Sequence, residues 1–197
     1  VGYRALWSNT TGTDNLAIGP NAVQNTTIAT SNLAVGHNSM GEQAGGVGSG
    51  PTATANVGVG EQTLGAITSG ASNVAVGHQA AQKLTTGSRN TAVGPEAMRI
   101  NTLTGSDNVA MGYLALGRVT SGANSVAIGS ATLDNATTGT NTAVGQGALS
   151  PTTTGTQNTA LGYLAGWTST GANANVTGNQ NIWIGDDAGP GAVTQFS

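Results

Sequence analysis

His37, Glu61 and His78 are the residues whose types and spacing come nearest to a chemical site. Imidazole and carboxylate groups bind zinc and similar cations when three or four of them converge. Each of the three directly follows the glycine of a recurring motif, in three consecutive copies, so stacking the copies would align them in one column. Pro20, Pro95, Ser130 and Gln146 fill the equivalent place elsewhere, which is the pattern of a solvated turn position. The expectation is no metal and no cofactor, with this column as the place where a cation could be held.

The carboxylates are Asp14, Glu42, Glu61, Glu96, Asp107, Asp134, Asp186 and Asp187. Cleavage of a glycan needs two of them roughly 5–10 Å apart in a groove, and the spacing sets up no such pair. Asp107 lies one repeat beyond Arg89 in the same column, which predicts a surface ion pair of little energy. Asp186-Asp187 is an isolated acidic doublet. No nucleophile elbow, phosphate loop or helical zinc signature occurs. Gly45-Gly46-Val47-Gly48 lacks the aspartate of the calcium-binding nonapeptide. The chain is therefore expected not to be an enzyme.

Charge narrows the partners. Only 7% of the 197 residues are charged, and the net charge is −3. Arg4, Lys83, Arg89, Arg99 and Arg118 form no basic run, which argues against nucleic-acid binding. No apolar run reaches the ~18 residues of a membrane-spanning helix. With no cysteine, there is no disulfide framework and no thiolate metal site.

The positions above have meaning only within a repeat. Asn-x-Ala-(Val/Ile/Leu/Met)-Gly occurs at 15–19, 32–36, 73–77, 90–94, 108–112, 141–145 and 158–162. Variants lie at 56–60, with Gly58 for Ala, at 125–129, with Ser125 for Asn, and at 181–185, with Trp183 for Ala. The closing glycines are Gly2, Gly19, Gly36, Gly60, Gly77, Gly94, Gly112, Gly129, Gly145, Gly162 and Gly185. Their spacings are 17, 17, 24, 17, 17, 18, 17, 16, 17 and 23 residues, a fixed period with two insertions. Val1-Gly2 reads as the tail of a repeat, so the chain is expected to be a piece of a longer array.

After each glycine come two variable residues, a small residue and usually an aliphatic one, as in Ala22-Val23 and Ala148-Leu149. A polar, glycine-containing turn such as Thr85-Thr86-Gly87 follows. One repeat then reads as strand, turn, strand, turn, which leaves no room for a helix. The expected fold is all-β: a parallel β-solenoid of about eleven rungs, each rung about 4.8 Å above the last. The array should span residues 1–189, with insertions near 41–55 and 166–180, and 190–197 should form a cap or transition.

Side chains alternate along a strand. The second and fourth motif positions, such as Leu16 and Ile18 or Val74 and Val76, are expected to fill the coil. The third, held by Ala17, Ala34, Ala75, Ala92, Ala110, Ala127, Ala143 and Ala160, would then face outward. An outer face kept so small predicts a second packed surface, most simply another copy of the rod. The asparagines Asn15, Asn32, Asn56, Asn73, Asn90, Asn108, Asn141, Asn158 and Asn181 should stack as an amide ladder and supply a left-handed corner. The glycines from Gly19 to Gly185 should supply the other corner.

Trp167, in the second insertion, is a candidate contact for a sugar ring or receptor, or else folds back to cap the roll. Tyr3, Tyr113 and Tyr163 share the column that follows the glycine and are expected to pack on a neighbouring chain.

These repeats, Asn124-Ser125-Val126-Ala127-Ile128-Gly129 above all, resemble the head domains of trimeric autotransporter adhesins. They look equally like repeats of bacteriophage tail fibres and other bacterial surface fibres. The resemblance covers essentially the whole chain, although the Thr-Thr-Gly turn is longer than in the adhesin repeat. It implies a left-handed β-roll, trimeric about a common axis, on a bacterial surface or a virion. The implied function is an extracellular rod that mediates attachment to a surface glycan or protein receptor. An ice-binding solenoid and a shaft without a ligand are the other readings, and threonines set in turns rather than as Thr-x-Thr on a flat strand argue against ice.

Overall fold

In the computed structural model the repeat becomes one continuous parallel sheet. The structure describes residues 1–24, 28–41, 52–99, 104–136, 139–150, 154–167 and 178–189. Each motif contributes one strand of three residues: β1 (Leu16–Ile18), β2 (Leu33–Val35), β3 (Val57–Val59), β4 (Val74–Val76) and β5 (Thr91–Val93), then β6 (Val109–Met111), β7 (Val126–Ile128), β8 (Thr142–Val144), β9 (Thr159–Leu161) and β10 (Ile182–Ile184). They stack in chain order, each parallel to the next. Motif positions align without slip, so Ala75 pairs with Ala92 and Ala92 with Ala110. The fold is an all-β solenoid with a coil of about 17 residues and no helix among the described residues.

Only the first half of each coil is strand. The second half, expected as another strand, is instead a pair of tight turns. In the coil after Gly77, Gln79 and Ala81 take left-handed backbone with φ of 57° and 50°. Ala80 N donates to Gly77 O, and Gln82 N donates to Gln79 O. The left-handed residues also donate upward or downward, Gln79 to Glu61 O and Ala81 to Ala97 O, so these turns are hydrogen-bonded between rungs much as the strands are. Alternating handedness curls the chain too tightly for a ladder of extended residues.

The interior is narrow. The small and aliphatic residues of the turn half, such as Ala97, Met98, Leu116 and Leu149, are buried. The motif alanines face them and are buried as well, Ala92 and Ala110 fully. This reverses the expected faces: Ala17, Ala34, Ala75, Ala92, Ala110, Ala127, Ala143 and Ala160 point into the coil and form no outer surface. A coil this narrow leaves space for a methyl group opposite a leucine, and not for two branched side chains.

The exceptions to the alanine rule follow from volume. A Cβ on Gly58 would sit 2.7 Å from Ser39 Oγ and 3.2 Å from Met40 Cε, so the glycine makes room for larger neighbours. In the last rung Trp183 replaces alanine, and the aliphatic place opposite is Gly166, where a Cβ would lie 3.1 Å from the indole. Trp183 thus lies against the core as its last layer.

Gly94 shows why its column admits nothing else. Its φ is +125°, and a Cβ there would lie 2.9 Å from the carbonyl of Gly112 in the next rung. Gly94→Ala is expected to cost about 1–3 kcal/mol or more in backbone strain, visible as a lowered thermal midpoint by circular dichroism.

Candidate functional site

The asparagine column is a continuous buried ladder. Asn73 Oδ1 accepts from the backbone N of Asn90 at 2.9 Å and from its Nδ2 at 3.1 Å. Asn90 Nδ2 also donates to Gly105 O at 2.9 Å, tying the strand to the polar turn of the next coil. The arrangement repeats at Asn56, Asn73 and Asn108. Ser125 substitutes with its hydroxyl, which donates to Gly139 O and accepts from Asn141 N. The left-handed corner expected of these asparagines falls one residue earlier, at Ser72, Arg89 and Asp107, with φ of 57–63°. None of the ladder asparagines has a left-handed φ.

The column after the glycine is exposed. His37 Nδ1 and Glu61 Oε1 lie 3.4 Å apart, both about half exposed. His78 does not join them, and no group of three or more His, Cys, Asp or Glu that could hold a metal occurs among the described residues. Tyr3, Tyr113 and Tyr163 stand in this column with 49–70% of their surface exposed. At the first coil the Arg4 guanidinium lies over both the Tyr3 and Trp7 rings, at 5.1 and 5.6 Å.

Arg89 and Asp107 pair in a bidentate fork, with Nε–Oδ1 at 2.6 Å and Nη2–Oδ2 at 2.7 Å. The guanidinium hydrogen bond lowers the Asp107 pKa, and the Asp107 bond raises that of Arg89. The pair is open to water and screened, so it marks register more than it adds stability.

Asp134 is different: only 9% of it is exposed, and its Oδ1 is buried without a hydrogen-bond partner. Burial raises its pKa, and Arg118, 3.3 Å from Oδ2, opposes the rise. A carboxyl whose folded pKa is raised stabilises the fold below its unfolded pKa and loses that contribution as pH rises through the folded value. Asp134→Asn is therefore expected to be the more stable form at pH 7, with the gap closing toward pH 3. Thermal melts of both proteins across that range would check it.

Trp167 is half-buried; its backbone N donates to Leu164 O at 2.9 Å. Most of both expected insertions (42–51 and 168–177), Glu42 and the expected cap at 190–197 lie outside the described residues.

One surface feature is made of the side chains that the alternation in the sequence placed inside. The second and fourth positions of all ten strands point outward. Leu16 is 52% exposed, Ile18 43%, Met111 42% and Leu161 49%. Of these twenty positions seventeen are aliphatic and three are threonine, and none is charged. Their exposed surface sums to on the order of 1,000 Å², against about 300–600 Å² for the largest apolar patch of a typical monomer.

No protein-family model, curated protein or solved structure matches the chain. Among the described residues no helix is long and apolar enough to cross a membrane.

Proposed function

We propose that this chain is a segment of a non-enzymatic extracellular fibre, a rod of left-handed β-roll coils associated as a homotrimer. The observation that carries the proposal is the uncharged aliphatic face running along all ten strands. A face of that size is unfavourable in water at roughly 25 cal/mol per Å². It is of the same order as the ~800 Å² per partner that a stable protein–protein pair buries. Packing on the same face of identical rods covers it with matching periodicity, and three rods enclose it about one axis where two flat faces would leave the rims wet. The tyrosines at 3, 113 and 163 would close those rims.

In this reading the chain holds a binding tip away from its anchor, on a bacterial surface or a virion, and attaches to a surface glycan or protein receptor. Trp167, and Trp7 with the Arg4 guanidinium over its ring at 5.6 Å, are the aromatic contacts available to such a ligand. In this reading Val1-Gly2 keeps the same register ahead of β1, and the bond from Gly19 N to Val1 O at 2.8 Å supports it. Ice binding would require a regular threonine array on the flat face, where three of twenty positions are threonine.

Light scattering combined with small-angle X-ray scattering tests the proposal. The expected result is a rod with three times the 19.2 kDa chain mass. A folded, monomeric rod with its aliphatic face in water would overturn it.

A further inference from the structure

The face that assembly would cover is periodic, and a periodic face does not by itself decide which rung meets which. A rod displaced by one rung against its neighbour forfeits one coil of contact and keeps the rest. Three interruptions remove this ambiguity. The second motif position is Thr91 in β5, Thr142 in β8 and Thr159 in β9, whereas the other seven strands carry Leu, Val or Ile there. Thr142 and Thr159 are exposed in the single chain and Thr91 is half-buried.

We infer that these three threonines set a parallel, in-register alignment of the rod with further copies of the same chain. The inference rests on the assembly proposed above and adds what fixes its register. In register, each threonine meets the same threonine of its neighbours, and a hydroxyl both donates and accepts, so the three can bond one another. The separations between the threonine levels are three rungs, one rung and four rungs, all different. A shift of one, three or four rungs therefore matches a single pair of levels, and every other shift matches none.

Antiparallel overlaps match at most two of the three levels. At a displacement of two rungs, β5 meets β8 but β9 meets Val74 of β4, and two coils of contact are forfeited. Full overlap matches none: it sets β5 against β6, β8 against β3 and β9 against β2, where the second positions are Val109, Val57 and Leu33. Each mismatch buries a hydroxyl against hydrocarbon with no partner, which is unfavourable. A buried asparagine selects register in coiled coils by the same asymmetry.

The chain contains no cysteine, so introduced disulfides can read the alignment. Val109→Cys in β6 and Val126→Cys in β7 are made as separate chains and refolded together in equal amounts. A disulfide needs Cβ atoms about 3.5–4.5 Å apart, so in-register rods form 109–109 and 126–126 bridges, and a one-rung shift forms the mixed bridge. Mass spectrometry of linked peptides counts both. The mixed bridge is expected to be rare with the threonines present and to rise several-fold with Thr91→Val, Thr142→Val and Thr159→Val combined. Thr→Ser at the same three sites keeps the hydroxyls and is expected to restore the matched bridges. A mixed fraction unchanged by valine, in rods that still show the assembled mass, overturns the register inference and leaves the assembly standing. A monomeric mass with no interchain bridge overturns both.

Discussion

If the rods associate as proposed, Val76→Glu combined with Ile128→Glu is expected to leave a folded monomer. Each residue is 37% exposed in the single chain, so in a lone rod both carboxylates reach water and the coil interior is untouched. In the assembly the same groups would enter an uncharged aliphatic interior beside their own copies. An unpaired buried charge costs several kcal/mol, and about 4 kcal/mol is already a thousandfold in the dissociation constant. Scattering mass should fall to that of one chain while the far-ultraviolet circular dichroism is retained.

Ala92→Leu supplies the contrast. Ala92 is fully buried inside the coil, facing the turn half of its own repeat. Added methylene groups in a packed core cost about 1–3 kcal/mol, and here the parallel ladder leaves no direction in which the strand can yield. This variant should lose thermal stability whatever its oligomeric state. Dissociation without destabilisation would instead return the alanines to the interface.

Asn90→Ala should be among the most damaging single changes on the ladder. It removes the acceptor for the backbone N and the Nδ2 of Asn108, both at 3.0 Å, and the donor to Gly105 O. It also deprives Asn73 Oδ1 of its Nδ2 donor. Those groups are buried, and each one left unpaired costs about 1–3 kcal/mol, so the total should exceed the loss at any exposed site. Asn90→Ser is expected to recover much of the loss, because Ser125 already performs this role in the fold with one donated and one accepted bond. Chemical denaturation midpoints of the two variants would separate them. Equal midpoints would mean that the ladder is packing and not hydrogen bonding.

The repeat was legible because glycine spacing is a covalent fact. Once the chain closes a coil every 17 residues or so, parallel stacking and the columns follow. That is why Arg89 and Asp107 are legible in the sequence as neighbours one coil apart. The failure of His78 to join His37 and Glu61 was not legible: a column fixes Cα positions, whereas ligation depends on rotamers free to point into water.

The strand count per coil was also out of reach. Residues such as Ala97-Met98 have the composition of a strand, and only the left-handed φ of Glu96 and Met98, 58° and 55°, turns them into tight turns. These residue types have no intrinsic preference for that region. Hydrogen bonds between stacked rungs impose it, and a single copy of the repeat does not contain them.

The period, the all-β class and the glycine and asparagine columns were all legible in the residues alone. Alternation along Asn-x-Ala-Val-Gly determined that two faces exist, one small and one aliphatic. Which of them lies inside depends on packing across the coil. The aliphatic side chains would ordinarily be chosen for the core, but the turn half of each coil already fills it with residues such as Met98, Leu116 and Leu149. The space left opposite them takes one methyl group per rung, so the alanines enter and the valines, leucines and isoleucines are turned out to the surface.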